Sequence, residues 1–214
     1  MLIPLFPSFC HSIEIKDFKK VRDKLIDFVY EQENKDPMGV FFSNAGGWQS
    51  SPNYQRDDNI INSTLQQAIV GYFDDKEIFN DNFSISCTGM WLNINRNTDH
   101  NRLHCHADSD LSGVLWIKVP KNCDSGNIQF ASPHQYTEFK PIKILNQSTR
   151  DRFNYNDCFA FIPKEGTILL FPSHLMHEVR ANQSREDRIS VSFNLKIDML
   201  FHSPNHTRGE NEVT

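Results

Sequence analysis

Six side chains in two segments have the types and spacing of a metal site with an anion anchor. The stretch HCHADSDLSG, residues 104–113, holds two overlapping chelates, His104-x-His106 and His106-x-Asp108. A third imidazole, His177, lies far along the chain in GTILLFPSHLMHEVR. Arg188 follows, with Ser190 two residues on. Two imidazoles and one carboxylate can bind a first-row divalent ion on one face and leave its other positions open for chemistry. Alternate residues at a strand end point the same way, so one short segment can give two ligands and a distant strand the third. Arginine's planar fork pairs bidentately with a carboxylate. Arg188 could therefore hold the far end of a dicarboxylate that chelates the ion, with Ser190 adding a hydrogen bond.

These residues need a scaffold of strands, and the sequence after residue 82 supplies one. Short runs rich in β-formers recur between turn residues: Phe83–Asn95, Ser112–Pro120, Asn127–Ala131, Cys158–Ile162, Thr167–Phe171, Met176–Arg180 and Arg188–Ile197. Such a series predicts a sandwich or jelly roll. Within Arg188–Leu195 the even positions are Arg188, Ser190, Ser192 and Asn194, and the odd ones Ile189, Val191, Phe193 and Leu195. Asn93 and Asn95 share one face of the run Trp91–Asn95 in the same manner. Those polar faces either meet water or line the barrel interior around a polar ligand.

Earlier in the chain, helical periodicity appears over residues 17–32, with Asp17 as the expected N-cap, and again over 59–73. FFSN, residues 41–44, reads as a strand between them, and the apolar start MLIPLFPSFC as an opening strand. No Pro/Gly/Ser-rich linker separates helices from strands. The expected architecture is one mainly β domain over residues 1–200, a jelly roll buttressed by N-terminal helices, followed by a disordered tail, 201–214. The polar segment 134–157 reads as a long irregular loop, a candidate lid.

Composition narrows the function. Of 214 residues, 38% are apolar and seventeen are Phe, which suits an aromatic-rich globular core. A formal charge of −5 gives no global basic field, so no nucleic-acid partner is expected. No apolar run approaches the ~18 residues that cross a bilayer, so no membrane partner is expected either. Five scattered cysteines without a C-x-x-C fit a reduced, cytoplasmic compartment.

The order strand–HxD–strand–strand–His–Arg-x-Ser resembles the 2-oxoglutarate/Fe(II)-dependent oxygenases, which fold as a double-stranded β-helix, or cupin-like jelly roll. It is most similar to an uncharacterised bacterial and viral branch of them. LFPSF, WLNINRNTDHNRLHCHADSDLSGVLWIKVP, GNIQF, GTILLFPSHLMHEV and DRISVSFNL carry the likeness, in the pattern HxH…SGV…FPxxLxHxV…RxSxxFN. The resemblance implies an oxidoreductase, a dioxygenase that hydroxylates a small molecule or protein side chain using Fe(II), 2-oxoglutarate and O2, with release of succinate and CO2. It implies iron on His106, Asp108 and His177, and the co-substrate on Arg188 and Ser190 with Asn93 or Asn95 nearby.

The branch departs from the superfamily at one ligand. It keeps both histidines of H-x-H and varies the position of Asp108, so His104 is the alternative to Asp108. The carboxylate set is preferred, because it leaves the iron site less positive. A further departure is Leu115-Trp116, where relatives often have two aromatics. A cupin-like metalloenzyme without 2-oxoglutarate and a non-catalytic jelly-roll binding module are the competing readings. Among secondary candidates, His174 is expected in solvent, His134 in a loop, Cys105 packed away from its neighbouring histidines, Trp48 as a core plug, and Arg185–Asp187 as a solvated turn.

Overall fold

The computed structural model describes residues 8–75, 77–80, 82–121, 126–133 and 140–200. Strand β1 (His11–Glu14) leads into a 3-10 turn and helix α1 (Arg22–Lys35). Two short strands, β2 (Asn44–Ala45) and β3 (Trp48–Gln49), precede helix α2 (Ile60–Phe73). Strands β4 (Phe83–Asn95), β5 (His100–His104), β6 (Leu111–Lys118) and β7 (Ile128–Ala131) follow. After the short helices α3 (Lys140–Lys143) and α4 (Gln147–Arg152) come β8 (Cys158–Phe161), β9 (Thr167–Pro172), β10 (His177–Val179) and β11 (Arg188–Met199).

The strands form two antiparallel sheets, ordered β1-β9-β6-β11-β4-β3 and β2-β5-β10-β7-β8. They make the jelly roll, and the period-2 alternation of the long strands decides what lies on each side. Ile189, Val191, Phe193 and Leu195 of β11, Leu92 and Ile94 of β4, and Leu115 and Ile117 of β6 pack outward beneath Leu25 and Val29 of α1 and Ile61 and Leu65 of α2. The opposite parity, Val114, Trp116, Leu169 and Phe171, faces Ile128 and Phe130 of the second sheet in a smaller core. The inner face is thus apolar where the sheets are stapled together. It is polar at Arg188, Ser190 and Asn93, all buried. The polar faces foreseen in β4 and β11 line the interior rather than meeting water.

Gly113 shows how tightly the outer core is filled. A Cβ there would lie 2.3 Å from Phe193 Cζ, so the glycine of SGV leaves room for that ring. Arg22 at the start of α1 ties the helices to the sheet. Its Nε and Nη2 donate to Glu165 at 2.7 and 2.9 Å, and Glu165 also accepts from the Val119 amide at 2.9 Å. Burial alone would raise the Glu165 pKa, but the Arg22 hydrogen bonds outweigh it and hold the carboxyl below its ordinary value.

Several sequence expectations need correction. Helix α1 begins at Arg22, after Val21; Asp17 instead has left-handed backbone (φ 56°) before the 3-10 turn and makes no capping bond. The cap of α2 is Asn59, whose Oδ1 accepts from Asn62 N. The strand expected over FFSN reduces to Asn44–Ala45, leaving Phe41 and Phe42 exposed. Of the expected opening strand MLIPLFPSFC, residues 1–7 lie outside the described residues and 8–10 are not in a strand; β1 begins at His11. Part of the supposed irregular loop is helical, at Lys140–Lys143 and Gln147–Arg152. His134 and the tail lie outside the described residues. Strand β5 was not foreseen. HNRLH has no apolar alternation, and it is a strand because β10 and β2 hold it on either side.

Candidate metal centre

His104 ends β5 and His177 begins β10, and the two are direct register partners. The ladder carries a bulge. Pairing resumes at Val179 with Asn101, so Arg102 and Leu103 oppose the single residue Glu178. A bulge adds one residue and shifts the strand's phase. That is how Asn101 and His104, three apart, both line the cavity between the sheets while Arg102 and Leu103 are exposed. His106 lies just past the strand end, held by its amide donating to Ser173 O at 2.9 Å. Ser173 is fully buried and bonds to Ser112 Oγ at 2.8 Å; Ser112 Oγ donates to Asn194 Oδ1. That chain of partners joins FPSH, SGV and the terminal Asn of RISVSFN beneath the site.

The three imidazoles converge. Ring centroids are 4.3 Å apart for His104 and His177, 5.0 Å for His104 and His106, and 5.3 Å for His106 and His177. One nitrogen from each can be chosen so that all lie within 4.8 Å of one another. Nδ1 of His104 lies 2.6 Å from Arg102 O and Nδ1 of His177 2.8 Å from Leu175 O. A carbonyl can only accept, so both Nδ1 atoms carry the proton and both Nε2 atoms keep a lone pair. Burial, reinforced by the neighbouring imidazoles, pushes His106 down to about 4 and His177 to about 3. Burial also lowers His104. At neutral pH the trio is uncharged, the form that binds metal.

Arg188 lies on the same cavity, 2% exposed. Its Nη1 donates to Asn95 Oδ1 at 3.2 Å and to Ser190 Oγ at 3.0 Å, both neutral acceptors. Its Nε is buried without a partner, and no carboxylate among the described residues pairs with it. Burial pulls its pKa down to about 10. A buried unpaired guanidinium costs several kcal/mol unless a ligand supplies the anion. Trp116, register partner of Ser190, leaves a second buried donor, its Nε1, unpaired. Asn93 lines the cavity and donates to Ser192 Oγ, whereas Asn95 serves Arg188.

Residues 89–194 match a family model described as "Putative 2OG-Fe(II) oxygenase". That region, which holds the three histidines and Arg188, is that of a 2-oxoglutarate/Fe(II) oxygenase. A Pseudomonas putida prolyl-4-hydroxylase is similar in fold, with 11% identity, a TM-score of 0.55 and coverage of 88% of this chain and 92% of its own. A prolyl hydroxylase from Trichoplax adhaerens, in complex with a hypoxia inducible factor peptide fragment, gives 12% identity, a TM-score of 0.60 and coverages of 87% and 83%. HygX from Streptomyces hygroscopicus, with nickel, 2-oxoglutarate and hygromycin B bound, gives 12%, 0.58, 88% and 83%. No curated protein matches the sequence.

The donor set of this oxygenase suits its family's metal, since imidazole is a good ligand for iron. The unpaired Arg188 suits a dicarboxylate. The geometry departs from the preferred ligand set at one position. Asp108 lies in the exposed turn after the strand, and among the described residues the convergent group is His104, His106 and His177. The physical reason is the end of β5. The side chains of positions 104 and 106 turn inward, and the chain then leaves the sheet at Ala107–Asp108.

The secondary candidates divide. His174 is exposed, as expected. Trp48 is a core residue, its Nε1 donating to Asp36 O. Cys105 is exposed, not packed. Leu115 faces the helices and Trp116 the interior, so the aromatic of that pair stands where the sheets meet. Gly126 was quoted in GNIQF without a role. Its Cβ position would meet Arg188 Cδ at 2.7 Å, so its bare backbone packs on the arginine stem. Nothing in the sequence links Gly126 to Arg188, which lie far apart in the chain and meet only through the fold.

Proposed function

We propose that this oxygenase is a 2-oxoglutarate-dependent hydroxylase of a small molecule or a protein side chain, with iron held by His104, His106 and His177. In this reading the distal carboxylate of 2-oxoglutarate pairs with Arg188 and accepts from Ser190, and Asn93 borders the co-substrate. The observation that carries it is Arg188: a buried guanidinium, with no carboxylate partner among the described residues, on the cavity that the three imidazoles also line. It favours a co-substrate enzyme over a cupin-like metalloenzyme or a binding module, neither of which accounts for a buried cation.

Iron with 2-oxoglutarate and O2 supplies the oxidising power, with succinate and CO2 as by-products. The chain's own residues orient and insulate. The carbonyls of Arg102 and Leu175 fix the tautomers of His104 and His177 and aim their rings. Arg188 sets the reach of the co-substrate from one wall, and the apolar inter-sheet cluster around Trp116 and Phe171 keeps water out behind it.

The test is succinate formed from 2-oxoglutarate in air, with and without added Fe(II), by wild type and Arg188→Ala. Iron-dependent succinate in the wild type, with the KM for 2-oxoglutarate raised in the variant, supports the reading. Metal binding without 2-oxoglutarate turnover in the wild type would refute it.

A further inference from the structure

A groove of about 530 Å³ opens beside the metal cavity and shares Ser43, Trp91, His104 and His106 with it. Whatever fills it lies against the ligand histidines. Its volume is that of a small-molecule site. Phe42, 68% exposed, and Leu103, 51% exposed, stand at its walls with Pro52 and Trp91. The bulge in β5 puts Leu103 there, and Arg102 beside it.

Two polar features break the apolar lining. Arg102 is the one side chain of fixed charge in the groove and makes no ion pair among the described residues. Among the described residues, no carboxylate lines the groove to attract a cation. Gln49 is 4% exposed, and its Oε1 is buried with no hydrogen-bond partner. Buried acceptors are normally satisfied, so an orphan in a groove wall points to a donor that arrives with a ligand.

We infer that this groove takes an apolar carboxylic acid bearing a nearby hydrogen-bond donor, the chemistry of an N-acylated apolar amino acid. Arg102 pairs with the carboxylate, Gln49 accepts from the N–H, and the apolar body lies between Trp91 and Leu103 with its C–H bonds toward His104 and His106. The inference rests on the reading of the metal centre above and names the substrate class of that site. Hydroxylation inserts one atom of O2 into a substrate C–H bond to give an alcohol. The other atom enters succinate, as 2-oxoglutarate loses its C1 carboxylate as CO2.

Trp91 makes the inference measurable. Trp48 and Trp116 are 4% and 2% exposed, whereas Trp91 is half-buried at the groove. Full-length protein loaded with Fe(II) and 2-oxoglutarate without oxygen is titrated with N-acetylphenylalanine and with N-acetylphenylalaninamide, following indole fluorescence. The acid is expected to saturate the signal at roughly tenfold lower concentration than the amide, the scale of one charge-assisted contact. Arg102→Gln should erase that preference, Gln49→Leu should weaken both ligands, and Trp91→Phe should remove the signal. Equal affinity for acid and amide, a preference that survives Arg102→Gln, or a signal that survives Trp91→Phe overturns the inference. Calorimetry of 2-oxoglutarate into the Fe(II)-loaded wild type separates the two readings. If 2-oxoglutarate binds but the acid shows no preference, this inference alone falls; if 2-oxoglutarate does not bind, the proposed function falls with it.

Discussion

His104 and His177 are register partners on adjacent antiparallel strands, their rings 4.3 Å apart. Backbone pairing, not side-chain contact, fixes this distance, because the two Cα atoms are opposed by the β5–β10 ladder. Asp108 has no such constraint, since it sits in an exposed turn past the strand end. Replacing His104 by Ala should therefore cut Fe(II) affinity by roughly tenfold or more, the scale on which even supporting residues of metal sites act. Replacing Asp108 by Ala should leave affinity near the wild-type value. Metal titration of the two variants checks this, and a larger loss for Asp108 would return the carboxylate to the ligand set.

Arg188 sets function against stability. In the absence of 2-oxoglutarate its guanidinium is buried without a counter-ion among the described residues. Its two hydrogen bonds to neutral acceptors contribute about 0.5–1.5 kcal/mol each. The desolvation of the charge costs several kcal/mol and wins. Arg188→Met should therefore raise the melting temperature of co-substrate-free protein, by about 2–4 °C for each kcal/mol relieved. Saturating 2-oxoglutarate should reverse the order. It stabilises the wild type by about 2.7 kcal/mol at a hundred times its Kd and leaves the variant unmoved. Melting curves with and without 2-oxoglutarate decide it. A variant less stable than wild type in its absence would mean that the charge is already compensated.

The long strands and the shared buried face of Arg188 and Ser190 were legible in the sequence because period-2 alternation survives wherever both faces of a strand are used. Ile189, Val191, Phe193 and Leu195 had to pack on something, and Arg188 and Ser190 had to share the other face. What was not legible was the phase of β5. HNRLH carries no hydrophobic pattern, and its bulge shows only in its pairing with β10. That bulge places His104 inside with Asn101 and leaves Arg102 and Leu103 at the groove. The choice between His104 and Asp108 turned on where that strand ends, a matter of tertiary pairing. Asp17 misled for a related reason: a good capping residue stood one 3-10 turn too early, and the left-handed backbone there took it out of the helix.

Gly126 governs the arginine from outside its own strand. It has φ +71°, and an added Cβ would press on Arg188 Cδ at 2.7 Å and Nε at 3.2 Å. The arginine is buried and cannot swing into solvent, so it must shift along the cavity. Gly126→Ala should raise the KM for 2-oxoglutarate while leaving Fe(II) affinity unchanged, because the added Cβ meets Arg188 and none of the three histidines. Steady-state kinetics and metal titration of one preparation test both halves. A parallel loss of metal binding would point to general unfolding instead.

Acid should loosen the metal-free protein through the same imidazoles. His106 and His177 protonate at about 4 and about 3 when folded, against about 6.5 for a free imidazole. Between these limits the unfolded chain binds more protons than the native one, so stability rises with pH across the window. The contribution is fully present above about pH 6.5 and drains away as pH falls toward the folded values. Metal-free wild type should therefore melt at progressively lower temperature from pH 7 to pH 4.5. His177→Gln, which removes one of the three lowered titrations, should show a shallower slope over the same range. Added Ni(II) should offset the decline at the upper end of the window, where the metal competes with few protons. Parallel slopes for the two metal-free proteins would show that the cluster is solvated and titrates like free imidazole.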